Sequence, residues 1–100
     1  QRIVHYVRAM ENTKSSTMET LYLLNDGKVE AIQFKVGGAV AQTGTPIKDM
    51  RIRKDVQISA ILRDGKCLIP GGNDTICPGD DVIVTTTSHD VGQIGDIFEG

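Results

Sequence analysis

The sequence predicts an α+β fold, a small and mostly antiparallel β-sheet with short helices, preceded by a linker helix and a β-hairpin. Three observations predict it. The apolar content, 39% of 100 residues, rests on Val, Ile and Leu, with only Tyr6, Tyr22, Phe34 and Phe98 as aromatics and no Trp, and β-branched side chains suit a pleated, half-buried surface. Turn residues interrupt the apolar runs at short intervals, at Asn25-Asp26-Gly27, Asp64-Gly65, Pro70-Gly71 and Pro78-Gly79. The runs VEAIQFKV (29–36) and VQISAILRD (56–64) alternate apolar and polar residues with the period of a strand. A chain of this length buries only about 65% of its unfolded surface, so one modest core is expected.

The elements follow in order. Ile3, Val7 and Met10 recur at helical spacing with Val4 and Tyr6 beside them, which predicts a linker helix entered part-way along. Together with the start on Gln1, this predicts a fragment of a longer chain. The runs 18–24 and 29–36 flank Asn25-Asp26-Gly27-Lys28, residues that accept the positive φ of a tight turn, so a hairpin is expected with Ile32, Phe34 and Val36 on its buried face. Residues 1–28 are read as the linker helix and first hairpin strand, and 29–100 as the domain proper.

The glycines of GGAVAQTGTP (37–46) meet neither phosphate-binding fingerprint: their spacing is not G-x-G-x-x-G, and Gly44 is followed by Thr-Pro where a P-loop requires Lys. The segment reads instead as a loop into a short helix at PIKDM (46–50), with Thr45 as N-cap and Pro46 in the first helical position. In the strand 56–64, Ile61 breaks the polar side. Asp64-Gly65 turns the chain into KCLI (66–69), and Pro78-Gly79-Asp80 leads into VIVTTT (82–87). Both Pro-Gly pairs are read as chain reversals, with proline fixing φ near −65° and glycine supplying φ above zero. At the end, Ser88 is read as the N-cap of a helix presenting Val91, Ile94, Ile97 and Phe98, weakened by Gly92 and Gly95 and packed against a second chain.

Composition narrows the function. A net charge of −2, from 11 basic and 13 acidic residues, argues against general affinity for nucleic acid or anionic lipid. No apolar run approaches the roughly 20 residues of a membrane span. Cys67 and Cys77 are too few for a disulfide scaffold or a zinc ribbon and read as reduced, packed thiols. Asn73-Asp74-Thr75 reads as a turn before a glycosylation acceptor. His5 and His89 stand alone as solvated side chains, and Asp80-Asp81 reads as a turn with a solvated charge. No catalytic constellation emerges, and the chain is not read as an enzyme. The cluster Lys48, Arg51, Arg53 and Lys54, interleaved with Asp49 and Asp55, suits a solvated face or intersubunit ion pairs, with Arg51 able to reach an anion through its planar fork.

From Val29 to Thr87 the order of these motifs resembles the C-terminal regulatory domain of TrkA-type potassium-uptake proteins, the regulator of K⁺ conductance C-domain. The similar elements are the G-x-P-I helix, the I-x-A-I-x-R-D-G strand and turn, the I-P-G turn and the P-G-D-x-V-I-V close. The leading residues are similar to the link that joins this domain to the preceding half of such proteins. The resemblance implies a cytoplasmic subunit, peripheral to the inner face of the membrane, that serves a membrane potassium transporter and pairs as a homodimer. It implies no cofactor in this stretch, with NAD or another nucleotide held by an upstream domain. It also implies a cleft between subunits for a small nucleotide effector, cyclic di-AMP in some members. Carried over by position, Ile47, Asp49, Arg51, Gln57 and Pro70 would line that cleft. A pure dimerisation and assembly module, with no ligand of its own, is the alternative; Ile94, Ile97 and Phe98, or the segment 48–55, would then be interface only.

Overall fold

Two tight turns set the sheet. Asn25, Asp26 and Gly27 all take positive φ (51°, 56° and 83°), and the Gly27 and Lys28 N–H groups donate to the carbonyls of Leu24 and Asn25. These bonds close the hairpin between β2 (Ser16–Leu24) and β3 (Val29–Val36). Asp64 (φ 53°) and Gly65 (φ 75°) likewise supply the two positive φ angles that a two-residue hairpin takes, joining β4 (Val56–Arg63) to β5 (Lys66–Leu68). The computed structural model describes residues 4–6, 16–38 and 44–99. With β1 (Val4–Tyr6) and β6 (Asp81–Thr86), the strands form one antiparallel six-stranded sheet in the order β1-β2-β3-β6-β4-β5.

The opening residues differ from the expected linker helix. Val4, His5 and Tyr6 form a strand in register with Leu23, Tyr22 and Leu21; the rest of the expected helix, apart from these three, lies outside the described residues. The physical reason is the edge of β2, whose N–H and C=O groups are satisfied by a neighbouring strand and would not be by a helix.

Two β-bulges explain irregular hydrophobic spacing. On β4 the pairing with β6 shifts between Ile58 and Ala60, so Ser59 is the extra residue and both Ile58 and Ile61 turn inward, which is why Ile61 interrupts the alternation. On β2 the pairing shifts between Met18 and Thr20, and Met18 and Leu21 are both buried although three positions apart. One face of the sheet thus gathers Met18, Leu21, Ile32, Phe34, Ile58, Ile61, Val82 and Val84. Residues at alternate positions, among them Gln33, Lys35, Asp81 and Thr85, take the other face.

The C-terminal segment covers the apolar face. Its helix is a short 3-10 turn over Ile94–Ile97 capped by Gln93, not a helix begun at Ser88. The Asp96 carboxylate accepts from the N–H groups of Gly92 and Gln93 (2.9 and 3.1 Å), a local cap that suits two glycines poorly disposed to a longer helix. Val91, Ile94 and Ile97 are fully buried in the chain's own core, which overturns their reading as a surface for a second chain. Residues 51–53 run beside 97–99: Ile52 bridges Phe98, the Arg53 N–H donates to the Ile97 carbonyl at 2.9 Å and the Glu99 N–H to the Arg51 carbonyl at 2.6 Å. The Arg53 side chain reaches both Asp55 carboxylate oxygens, Asp90 and the Asp96 carbonyl at 2.9–3.1 Å, so its guanidinium is engaged within the chain. The Ser88 hydroxyl first, and Arg53 second, hold the Asp90 carboxyl below the ordinary carboxylate range.

Glycine is required at one corner in particular. Gly79 has φ of 90° as the third residue of the turn Cys77-Pro78-Gly79-Asp80, closed by the Asp80 N–H on the Cys77 carbonyl at 3.1 Å. A Cβ added there would meet nothing within 4 Å, so Gly79→Ala pays only for its backbone, about 1–2 kcal/mol. Gly38→Ala, equally open and without positive φ, should be neutral or slightly stabilising. Urea denaturation of the two variants checks the contrast.

Candidate functional site

The segment after Gly44 folds back on the loop 70–76. The 3-10 turn Ile47–Asp49 begins one residue later than expected, with Pro46 in the cap position and no side-chain cap from Thr45. Its N-terminal amides find partners on the facing loop: Gly44, Ile47 and Lys48 donate to the carbonyls of Ile76, Asp74 and Gly72 at 3.2, 2.9 and 2.9 Å. This docking explains Gly72, because a Cβ there would sit 3.2 Å from the Lys48 Cβ. Gly71 and Gly72 do not take positive φ, so the Pro70-Gly71 corner does not need glycine for its φ. It is held by the Asp74 carboxylate, which accepts from the Gly71 N–H at 2.7 Å.

The far end of the same loop rests on an ion pair between a buried Asp80 and a half-buried Arg63. Arg63 Nε and one terminal nitrogen donate to the two Asp80 carboxylate oxygens at 2.9 and 2.8 Å, and that nitrogen also donates to the Thr75 carbonyl at 2.8 Å. The Cys77 N–H adds a bond to Asp80 at 2.9 Å. Asp80 is 2% exposed, so its reading as a solvated turn charge is corrected. Burial opposes its ionisation, but the Arg63 fork and the Cys77 N–H outweigh it, and the carboxyl lies below its ordinary range. Sequence reasoning missed this pair. The available signal was the Arg of R-D-G and the Asp of P-G-D, each taken as turn chemistry alone.

The five expected ligand residues are divided by the fold. Ile47 is half-buried against the core, Asp49 and Arg51 are exposed, and Pro70 is half-buried at the start of the loop on which the 3-10 turn docks. The side-chain charges of Asp49 and Arg51 make no ion pair among the described residues. With Lys48, also exposed, they form a charged rim; beside Pro70 the Ile69 side chain is 79% exposed. Gln57 lies apart, on β4, where it lines a cleft of about 270 Å³ with Val29, Lys54, Thr85 and Thr87 but none of the other four.

The remaining readings resolve as follows. Both cysteines are free thiols, but Cys67 is exposed on the short edge strand and only Cys77 is partly packed. His89 is largely solvated, yet its Nε2 lies 2.9 Å from the Gly27 carbonyl and 4.0 Å from the buried Glu30 carboxylate, and so ties the first hairpin to the segment after β6. Among the described residues no group of three or more His, Cys, Asp or Glu could hold a metal ion, and no helix is long and apolar enough to cross a membrane.

A small antiparallel sheet, short 3-10 connections and a charged rim beside one docked turn define a β-rich domain. The chain belongs to the TrkA-C domain family, which matches residues 43–99. It is 33% identical over 72 residues to the Trk system potassium uptake protein TrkA homolog of Archaeoglobus fulgidus, covering 72% of this chain and 16% of that protein. It is 21% identical over 91 residues to the Trk system potassium uptake protein TrkA of Azorhizobium caulinodans, covering 91% of this chain and 20% of the relative. The chain therefore spans a fifth or less of the length of these relatives.

Proposed function

We propose that this chain is a cytoplasmic regulatory domain of a Trk-type potassium-uptake system, a ligand-sensing and dimerising module that biases a membrane transporter by rearrangement and does no bond-making. The observation that carries the reading is the exposed rim of Lys48 and Asp49, on a 3-10 turn fastened to the loop after Pro70, with Arg51 just beyond it, within the stretch that matches the family. An exposed guanidinium with no ion pair among the described residues can bind an anionic group without first breaking a contact there. In this proposal residues 29–100 are the regulatory domain, and the residues before them connect it to an upstream domain that holds NAD or another nucleotide.

Ile47, Asp49, Arg51 and Pro70 form the near wall of the site and a second copy supplies the facing wall, with a small nucleotide such as cyclic di-AMP between them. Gln57 takes part only if the partner brings it close, since it lies on another surface. A ligand bound across two copies favours one relative arrangement, and the equilibrium shifts by its differential affinity for the two.

Thermal unfolding with cyclic di-AMP and adenine nucleotides tests the ligand, and sedimentation tests the pairing. A ligand at 100 times its Kd stabilises by about 2.7 kcal/mol, a rise of roughly 10 °C or more for a domain of this size. Arg51→Ala should abolish the rise while leaving the unliganded Tm nearly unchanged. A stable dimer that no nucleotide stabilises would leave assembly alone as the function; a monomer at high concentration, with no shift, would defeat both.

A further inference from the structure

The open face of the sheet carries a second feature, independent of the rim. The bulge on β2 makes Glu19 the extra residue between Met18 and Thr20, and bulges re-aim side chains. The Gln33 amide nitrogen on β3 lies 3.4 Å from a Glu19 carboxylate oxygen and 3.3 Å from one of Asp81 on β6, so one amide bridges two acids from strands that flank its own. Lys35, next along the same face of β3, holds the other Asp81 oxygen at 3.2 Å. Opposite Asp81 on β4 stands Leu62, which brings no charge, and the neighbouring Asp80 is engaged by Arg63. Among the described residues the local balance is thus two carboxyls against one ammonium.

We propose that Glu19 is a proton sensor: it holds a proton in mild acid beside the Asp81 carboxyl, and the site is strained by charge repulsion once that proton leaves to solvent. Adjacent like charges on a sheet face are destabilising, and two carboxyls that meet cannot both ionise without cost. The geometry agrees with the electrostatics of the Glu19 carboxyl. Burial first, and then the hydrogen bond and charge of Asp81, raise its pKa against the opposing pull of Lys35 and Gln33. The sign follows: a carboxyl whose pKa is raised in the fold contributes stability when protonated, and that contribution is lost as pH rises through the raised value. The bulge of β2 is then held most firmly in acid and loosens toward neutrality, changing the charge and shape of a face that no other element of this chain covers among the described residues.

Carboxyl-carbon NMR titration of the 100-residue chain reads the pair directly. Glu19 should titrate above the ordinary glutamate value of about 4.3, and Asp81→Asn should bring it back toward that value. Independently, Glu19→Gln, which keeps an acceptor for Gln33, should raise Tm by a few degrees at pH 7 and lose that gain at pH 4. A Glu19 midpoint at or below the ordinary value, a midpoint unmoved by Asp81→Asn, or a Glu19→Gln effect equal at both pH values would overturn the proposal. The Tm comparison decides the question even if Asp81→Asn does not fold.

Discussion

Arg63→Ala is expected to destabilise the protein by about 3–5 kcal/mol, the cost of leaving a buried carboxylate without its partner. That is a large part of the roughly 5–15 kcal/mol that holds a domain together. The substitution strips Asp80 of two hydrogen bonds and the Thr75 carbonyl of one. Only the Cys77 N–H remains on the acid among these contacts. Arg63→Lys should fall between the two proteins, because an ammonium restores charge without the two-pronged geometry.

The pH dependence separates this from a packing defect. In the parent protein the Asp80 carboxyl is held below its ordinary range. Its contribution is therefore present above the unfolded value, about 3.9, and lost as pH falls through the lower folded value. In Arg63→Ala the buried acid prefers to be protonated, so its deficit should narrow below about pH 4. Denaturant unfolding at pH 7 and pH 3.5 measures both. The variant should also speed hydrogen exchange at the Ile47 and Lys48 amides, whose acceptors lie on the loop that Arg63 steadies. A loss under 1 kcal/mol at neutral pH would show that the pair is solvated and the loop held by other means.

Ile97→Ala is expected to cost about 2–5 kcal/mol, the range for deleting a buried aliphatic side chain and leaving part of the space empty. Ile97 is fully buried beside Val91 and Ile94 in the core cluster, within one chain. Its loss should therefore be independent of protein concentration, whereas an interface residue would give a Tm that falls on dilution. Concentration-dependent melting of Ile97→Ala, with a small effect in the dissociated protein, would return this segment to a partner surface.

Most of the sheet was legible because its signals are local. The residues of the two hairpin turns announce positive φ in their own side chains, and Ile32 to Val36 alternates without interruption. Even the β4 bulge left a trace, as Ile61 stands where a polar residue was due, although alternation alone could not say that Ser59 was the extra residue. The opening strand and the C-terminal segment were misread for a shared reason. Val4 and Tyr6 sit in a helix-like run of apolar residues and Val91, Ile94 and Ile97 are spaced for a helix, yet what such a segment pairs with or packs against depends on chain far away in sequence. Of the expected site, Ile47, Asp49, Arg51 and Pro70 come from one turn and the loop it docks on, which short motifs can mark. Gln57 lies on β4 in a cleft that none of them lines, a placement that spacing along the chain does not reveal.

By itself the sequence determined the β-rich class, both hairpins and the motif order shared with the TrkA-C domain family, because turn geometry and strand periodicity are written in neighbouring residues. Only the tertiary structure decided which charges are buried. Asp80 and Asp81 are adjacent and chemically alike, yet one closes a turn inside the fold against Arg63 while the other begins a strand and meets Gln33 and Lys35 on the open face. The physical reason is that a carboxylate's role is set by its solvation and its partners. Those partners lie 17 residues away for Asp80 and on the adjacent strand β3 for Asp81.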